Sequence, residues 1–300
     1  MSKYNMQNLP DKGFTHGGKF HSDDVFATAF LRILNPKITI ERGFDVPENF
    51  DGIVYDIGRG EFDHHQQDKE YRENGCPYAA FGLIWRAFGA DFIGEEEAVH
   101  FDEKFIQPLD ESDNTGCDNM LAKVIGEFNP GWDSTESYDD CFWKAEAMAE
   151  VILRNHFESV EGAKRGSALV KEAMERSDGK ILILPRFAPW KKEVTGSSYL
   201  FTIYPSNRGG YSIQAVPVSN EDTTLVCPFP DAWCGKTKEE LVALTGIFAI
   251  LSSERFFMCG RKIRRCCLRS KKSDGIKKER LIRMVCKSDF IYCLPVNNTI

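Results

Sequence analysis

The sequence predicts an α/β protein, with a mainly parallel sheet flanked by helices in a first domain and a smaller α/β lobe after it. Three observations carry this reading. Helix and strand patterns alternate through the first hundred residues. The apolar run at residues 52–57, Gly-Ile-Val-Tyr-Asp-Ile, reads as a buried strand with an acid near its carboxyl end. Beyond residue 178, short strand patterns recur between Gly, Asn and Pro.

Residues 22–34 read as a helix, with Ser22 as N-cap and Asp23 and Asp24 at the positive end of its dipole. Val25, Phe26, Ala29, Phe30 and Ile33 share its apolar face. Residues 37–41 alternate like an exposed edge strand. Residues 77–88 form a second amphipathic helix, with Pro77 in the first turn, Gly89 as its stop, and Tyr78, Phe81, Ile84, Trp85 and Phe88 in the core. Residues 95–108 and 139–174 are also helical, the latter interrupted around Gly162 and Gly166. Strands at 180–184, 199–204 and 211–216 and a short helix at 238–244 build the smaller lobe. The expected divisions are 1–178, 179–250 and an atypical tail at 251–300.

An apolar fraction of 42% with 28% charged residues describes a globular chain, and no apolar stretch reaches the 18 or so residues of a membrane helix. A membrane partner is therefore not expected. Residues 1–12 carry neither a signal-peptide nor a transit-peptide pattern, so the expected compartment is cytoplasmic. Ten cysteines without a C-x-x-C pair read as reduced thiols rather than a disulfide framework. Five of them fall in the last 42 residues, where the charge also changes: residues 255–300 hold 13 Lys and Arg against 3 Asp and Glu, leaving 25 against 42 before them. The net charge of −7 thus combines an acidic body with a basic end.

Four of the six histidines lie in two acidic clusters, Thr15-His16-Gly17-Gly18-Lys19-Phe20-His21-Ser22-Asp23-Asp24 and Glu61-Phe62-Asp63-His64-His65-Gln66, with Asp56 between them. A pair of divalent metals needs a shared carboxylate, further acids for charge balance and neutral imidazoles, and it makes a bound water acidic enough to attack a phosphoryl group. Here His16, His21 and Asp23 can reach from one loop, Asp56 can bridge, and Asp63, His64 and His65 can close the site. Oxygen-rich ligation favours manganese or magnesium over zinc. Singly, each element has a plainer reading as a cap, a strand end or a surface residue. It is their occurrence in order around a strand, loop and helix that points to a site.

Residues 15–24, Val54-Tyr55-Asp56-Ile57-Gly58, Phe62-Asp63-His64-His65-Gln66 and Phe81-Gly82-Leu83-Ile84-Trp85 resemble successive motifs of the melanocyte-proliferating-gene exonuclease family, in the DHH phosphoesterase superfamily. Leu109-Asp110-Glu111-Ser112-Asp113-Asn114-Thr115-Gly116 is similar to the following motif, with Thr115 as an extra residue. The resemblance runs from about residue 13 to about residue 247. It implies a DHH-type catalytic domain, two divalent metal ions, manganese or magnesium, and hydrolysis of RNA or short oligonucleotides. By motif, His16 and His21 would hold one metal, Asp23, His64 and Asp113 the other, and Asp56 both. His65 would meet the phosphate and Asp63 would orient His64. Asp110 is the other candidate ligand in its motif.

After Thr245-Gly246-Ile247 the family continues through a His and a Gly-rich segment, whereas this chain has no His after His156. An out-of-frame continuation from about codon 248 would account for the change, and sequencing the source DNA there tests it. Two rival functions follow: hydrolysis of a small phosphate compound, such as a cyclic dinucleotide, bisphosphorylated nucleotide or pyrophosphate, and a catalytically poor metal- or nucleotide-binding protein. Oligomeric state is left open.

Overall fold

The computed structural model describes residues 4–177, 179–207, 209–245, 249–252 and 256–259. The chain forms two compact units, Met1–Val160 and Glu161–Ile300, a division that precedes residue 178.

In the first unit, β1 (Lys12–His16) leads through α1 (Ser22–Leu34) to β2 (Thr39–Gly43) and then to β3 (Ile53–Val54). The strands form one sheet in the order β2-β1-β3, parallel throughout, with Phe14 opposite both Glu41 and Val54. Parallel strands bring their carboxyl ends to one edge, where ligands gather in open α/β sheets. That edge here carries His16, Gly43 and the segment entering Asp56. The buried pattern of residues 52–57 is shorter as a strand than expected, because after Val54 the chain turns and Tyr55 makes only an isolated bridge to Phe62.

Helices cover the sheet. α1 packs its Phe26 and Phe30 against Phe81 and Trp85 of α2 (Ala80–Ile93), with ring centroids 5.7 Å apart for Phe26–Phe81 and 4.9 Å for Phe30–Trp85. Each buried aromatic contributes about 1.5–3 kcal/mol relative to exposure. α3 (Glu95–Phe101), a π-helical turn (Asp102–Ile106) and α4 (Gln107–Thr115) follow without a break, then α5 (Met120–Gly126) and α6 (Tyr138–Glu175). Two expected helix breaks do not occur. α2 runs on through Gly89 to Ile93, and a Cβ at Gly89 would stand 2.5 Å from the Trp85 ring of the preceding turn, so the position accepts only glycine. α6 continues through Gly162 and Gly166, and at Gly166 Pro189 fills the corresponding space.

The second unit holds β4 (Ile181–Ile183), the short α7 (Lys191–Val194), β5 (Phe201–Pro205), β6 (Tyr211–Ala215), α8 (Lys238–Thr245), β7 (Ala249–Ser252) and β8 (Phe256–Cys259). Its sheet runs β4-β5-β6-β8-β7, and only β4 and β5 are parallel. Phe201, Ile203, Ile213, Phe229, Trp233 and Leu241 form its core. Strands β7 and β8 extend this sheet past residue 250, where the atypical tail was expected to begin. The basic, cysteine-rich run from residue 260 lies outside the described residues, as does its explanation by a shifted frame. The five cysteines among the described residues with assigned side chains, Cys76, Cys117, Cys141, Cys227 and Cys234, are free thiols. No helix among the described residues is long and apolar enough to cross a membrane.

Candidate metal centre

Three segments meet at the carboxyl edge of the first sheet. The first is the loop from β1 into α1. His16 closes β1, the N-cap position of α1 is His21 rather than Ser22, and Asp23 and Asp24 are fully buried in the first turn. Asp24 Oδ1 accepts from the His21 backbone N–H at 2.9 Å, which leaves Oδ2 3.2 Å from His16 Nε2.

The second segment is the turn after β3. Asp56 takes φ = 56°, the left-handed region that side-chain-bearing residues seldom occupy, and its N–H donates to the Phe62 carbonyl at 3.0 Å. Asp63 pins the loop by accepting from the Arg59 N–H at 2.6 Å and the His65 N–H at 2.9 Å. Asp56 Oδ2 lies 3.1 Å from His16 Nε2, and Asp56 Oδ1 lies 3.1 Å from His64 Nε2 and 3.4 Å from His65 Nδ1.

The third segment is α4. Asp113 Oδ2 is 3.3 Å from His64 Nε2 and Asp113 Oδ1 is 3.6 Å from His21 Nδ1. Asp110, the alternative in that motif, is engaged elsewhere. It is buried against Arg72, 2.8 Å from Nη2, and accepts from the Gly82 N–H.

The donor atoms fall into three sets, each within 4.8 Å: His16, Asp24 and Asp56; His21, Asp23 and Asp113; and Asp56, His64 and His65. Asp56 belongs to two of them, and His64 Nε2 also reaches Asp23 Oδ2 at 3.6 Å. All eight residues read from the sequence are therefore in one neighbourhood, and His64 lies beside both Asp23 and Asp113 as grouped from the motifs. His21 sits with Asp23 and Asp113 rather than with His16. Asp63 faces His65, Oδ1 to Nδ1 at 3.0 Å, and not His64. The partner of His64 Nδ1 is Asn114 Oδ1 at 3.4 Å, an oxygen that also accepts from Lys69 Nζ. Asp24 and Asn114 are additions. The acidic doublet at 23–24 and the Asn after Asp113 were both visible in the sequence, but the first had a sufficient role at the helix dipole.

A test of fit to cations comes from unsatisfied atoms. Asp23 Oδ1, Asp24 Oδ2, both Asp56 oxygens and His64 Nε2 are buried and make no aligned hydrogen bond, although their neighbours are only 3.1–3.6 Å away. Buried carboxylates without donors are costly. Lone pairs that face one another without donor alignment suit a shared positive ion.

The titration behaviour agrees. Burial, then the Asp56, Asp113 and Asp24 charges, push Asp23 well above the ordinary carboxylate range. Burial also raises Asp24, against the pull of His16. Burial opposes charge on Asp56 too, yet His16 and His64 outweigh it and take Asp56 to about 2. Burial likewise disfavours charge on His16, but Asp24 and Asp56 hold its imidazole up to about 10. His64 is raised on the same balance, mainly by Asp56. Protons on imidazole thus supply positive charge beside these carboxylates, and a metal bound there would compete with them for the nitrogens.

An α/β fold with imidazoles and buried carboxylates gathered at the carboxyl edge of its parallel sheet presents groups that could hold metal ions. Comparison with known proteins narrows the class. The sequence profile of the MYG1 exonuclease family, described as an uncharacterised protein family (UPF0160), matches residues 13–269, and the chain belongs to that family. It is 28% identical to the MYG1 protein C694.04c of Schizosaccharomyces pombe, over 81% of this chain and 90% of that one. It is 24% identical to the MYG1 protein of Dictyostelium discoideum, over 83% and 92%. It is 26% identical to the human MYG1 exonuclease, over 79% and 78%. No solved structure matches the chain.

Proposed function

We propose that this chain is a metal-dependent phosphodiester hydrolase, an exonuclease acting on RNA or short oligonucleotides. The observation that carries the reading is the set of buried Asp23, Asp24 and Asp56 oxygens left without hydrogen-bond donors beside imidazole nitrogens. Relatives in human, rat and mouse named MYG1 exonuclease support the nuclease assignment.

His16, Asp24 and Asp56 would hold one manganese or magnesium ion and His21, Asp23 and Asp113 a second, with His64 reaching carboxylates of both sets. When bound, such a pair supplies Lewis-acid charge and an acidic water. The chain's own groups do the rest. If Asn114 Oδ1 accepts from His64 Nδ1–H, Nε2 is left as the donor atom facing the carboxylates. His65, 60% exposed, keeps one ring nitrogen on Asp63 and leaves the other for a phosphate oxygen or a proton. Asp63 stays ionised for that purpose: burial works against it, but His65 and the backbone amides of His65 and Arg59 hold its carboxyl below the ordinary range.

The test is hydrolysis of labelled short RNA, beside a panel of small phosphate esters, by the wild type, Asp56→Asn and His64→Ala with added manganese. Supporting residues around metal ligands typically cost 10–100-fold, so each ligand variant is expected to lose about a hundredfold or more. Undiminished turnover in both variants would sink the metal-centre reading. Turnover confined to the small esters would remove oligonucleotides as substrates.

A further inference from the structure

We propose that Phe44 and Trp132 are stacking platforms for the bases of a single-stranded oligonucleotide whose phosphodiester lies at the metal centre; the inference rests on the phosphodiesterase reading above. Phe44 directly follows β2 and so emerges at the same sheet edge as His16 and Asp56. Gly17 N–H donates to the Gly43 carbonyl at 2.7 Å, binding the end of β2 to the loop between His16 and His21. The Phe44 ring lies over that loop, 3.3 Å from the point where a Cβ on Gly18 would stand. Two residues on, Val46 packs in the same manner against Gly58 of the Asp56 turn, 2.9 Å from its Cβ position. Residues 44–46 are thus lodged between the two donor-bearing loops, with Phe44 79% exposed.

Trp132 follows a segment that is tied to the same loop. The Asn129 side chain accepts from the Phe20 N–H at 3.1 Å and donates to the Phe20 carbonyl at 2.9 Å, clamping the residue before His21. Trp132 lies three residues further, on a tight turn closed by Ser134 N–H to the Gly131 carbonyl at 2.9 Å, and is 95% exposed. Three residues span at most about 10 Å. Among the described residues, neither ring packs on another aromatic.

Charge favours one kind of occupant. Residues 1–254 hold 25 Lys and Arg against 42 Asp and Glu, an overall balance that disfavours holding an oligonucleotide mainly by neutralising its phosphates. Stacking on an aromatic face is indifferent to that charge and tolerates any base. Bases must be unpaired to reach such rings, which commits the site to single strands.

The test uses the full chain and two labelled hexamers, an RNA and its abasic counterpart with the same phosphates and no bases, read by fluorescence anisotropy. Phe44→Ala and Trp132→Ala are each expected to weaken RNA binding by about 5- to 150-fold and to leave the abasic hexamer unchanged. Phe44→Trp and Trp132→Phe should restore affinity, and quenching of tryptophan emission by unlabelled RNA should diminish in Trp132→Phe. Equal RNA affinity in wild type and both alanine variants, with wild-type cleavage of RNA intact, overturns the stacking role alone. Equal losses on both hexamers overturn it too, as would a self-associating wild type made monomeric by these variants, since the rings would then serve a protein interface. A wild type that hydrolyses small esters and neither binds nor cleaves RNA removes the oligonucleotide reading itself.

Discussion

Asp23 is fully buried among four other carboxylates, and burial and repulsion both act against its charge. Without metal that repulsion is a standing cost of the native state, and Asp23→Asn removes it while keeping the shape. In a chelator, therefore, the variant should melt a few degrees above the wild type, where 1 kcal/mol corresponds to about 2–4 °C. Saturating manganese should reverse the order, since a ligand at a hundred times its Kd adds about 2.7 kcal/mol to the form that binds it. Differential scanning calorimetry with and without manganese checks both halves. Residue types and their spacing singled out seven of these neighbouring residues in the sequence, and the family resemblance added Asp113. Their pairing was not legible there, because Asp63 and His65 meet through a local turn whose backbone path no spacing dictates, and because Asp24 serves a helix end and a metal set with different oxygens.

At the scale of elements, glycine plays two parts. α2 and α4 end at Gly94 and Gly116, which take positive φ, whereas α2 and α6 run through Gly89 and Gly166, where a Cβ would meet Trp85 and Pro189. Gly82 of α2 is the most exacting case. A Cβ there would stand 1.9 Å from Asp110 Oδ2 and 2.6 Å from Arg72 Nη2, atoms of a buried ion pair that Arg72 shares with Asp102. Gly82→Ala should destabilise the protein by about 3–5 kcal/mol, the range for breaking a buried pair, measured by urea denaturation. Along α6, His156 lies against the Phe101 ring, centroids 4.3 Å apart, and burial lowers its pKa from 6.5. Its neutral form is the native one, so the unfolded chain binds the extra proton in the interval just below pH 6.5. Stability from this group is complete above that value and declines as the pH falls toward the folded pKa. Phe at this position should abolish that part of the loss, seen as a smaller difference in denaturation midpoint between pH 7.5 and pH 5.5.

Across the described residues, the three donor sets fall in one unit: every member lies between His16 and Asp113, inside Met1–Val160. The alternation of helix and strand that announced an α/β fold is borne out in a parallel three-stranded sheet and a mixed five-stranded one. The last two strands were harder to read because their apolar pattern runs into an unpatterned basic sequence. That contrast yields a measurable consequence for binding. Single-stranded nucleic acid releases about 0.7 counterion per phosphate contacted, so an acidic body that relies on stacking should give a log–log salt slope smaller in magnitude than about 2 for short RNA. A slope beyond about 4 would mean that the basic run after Arg255 supplies phosphate contacts. The confinement of the donors to the first unit also bears on synthesis. At about 5–20 residues per second, the 140 residues of Glu161–Ile300 take roughly 7–28 s to translate. During that interval the first unit already carries every member of the three donor sets, so on the proposed reading the nascent chain would take up metal and gain its stabilisation on the ribosome.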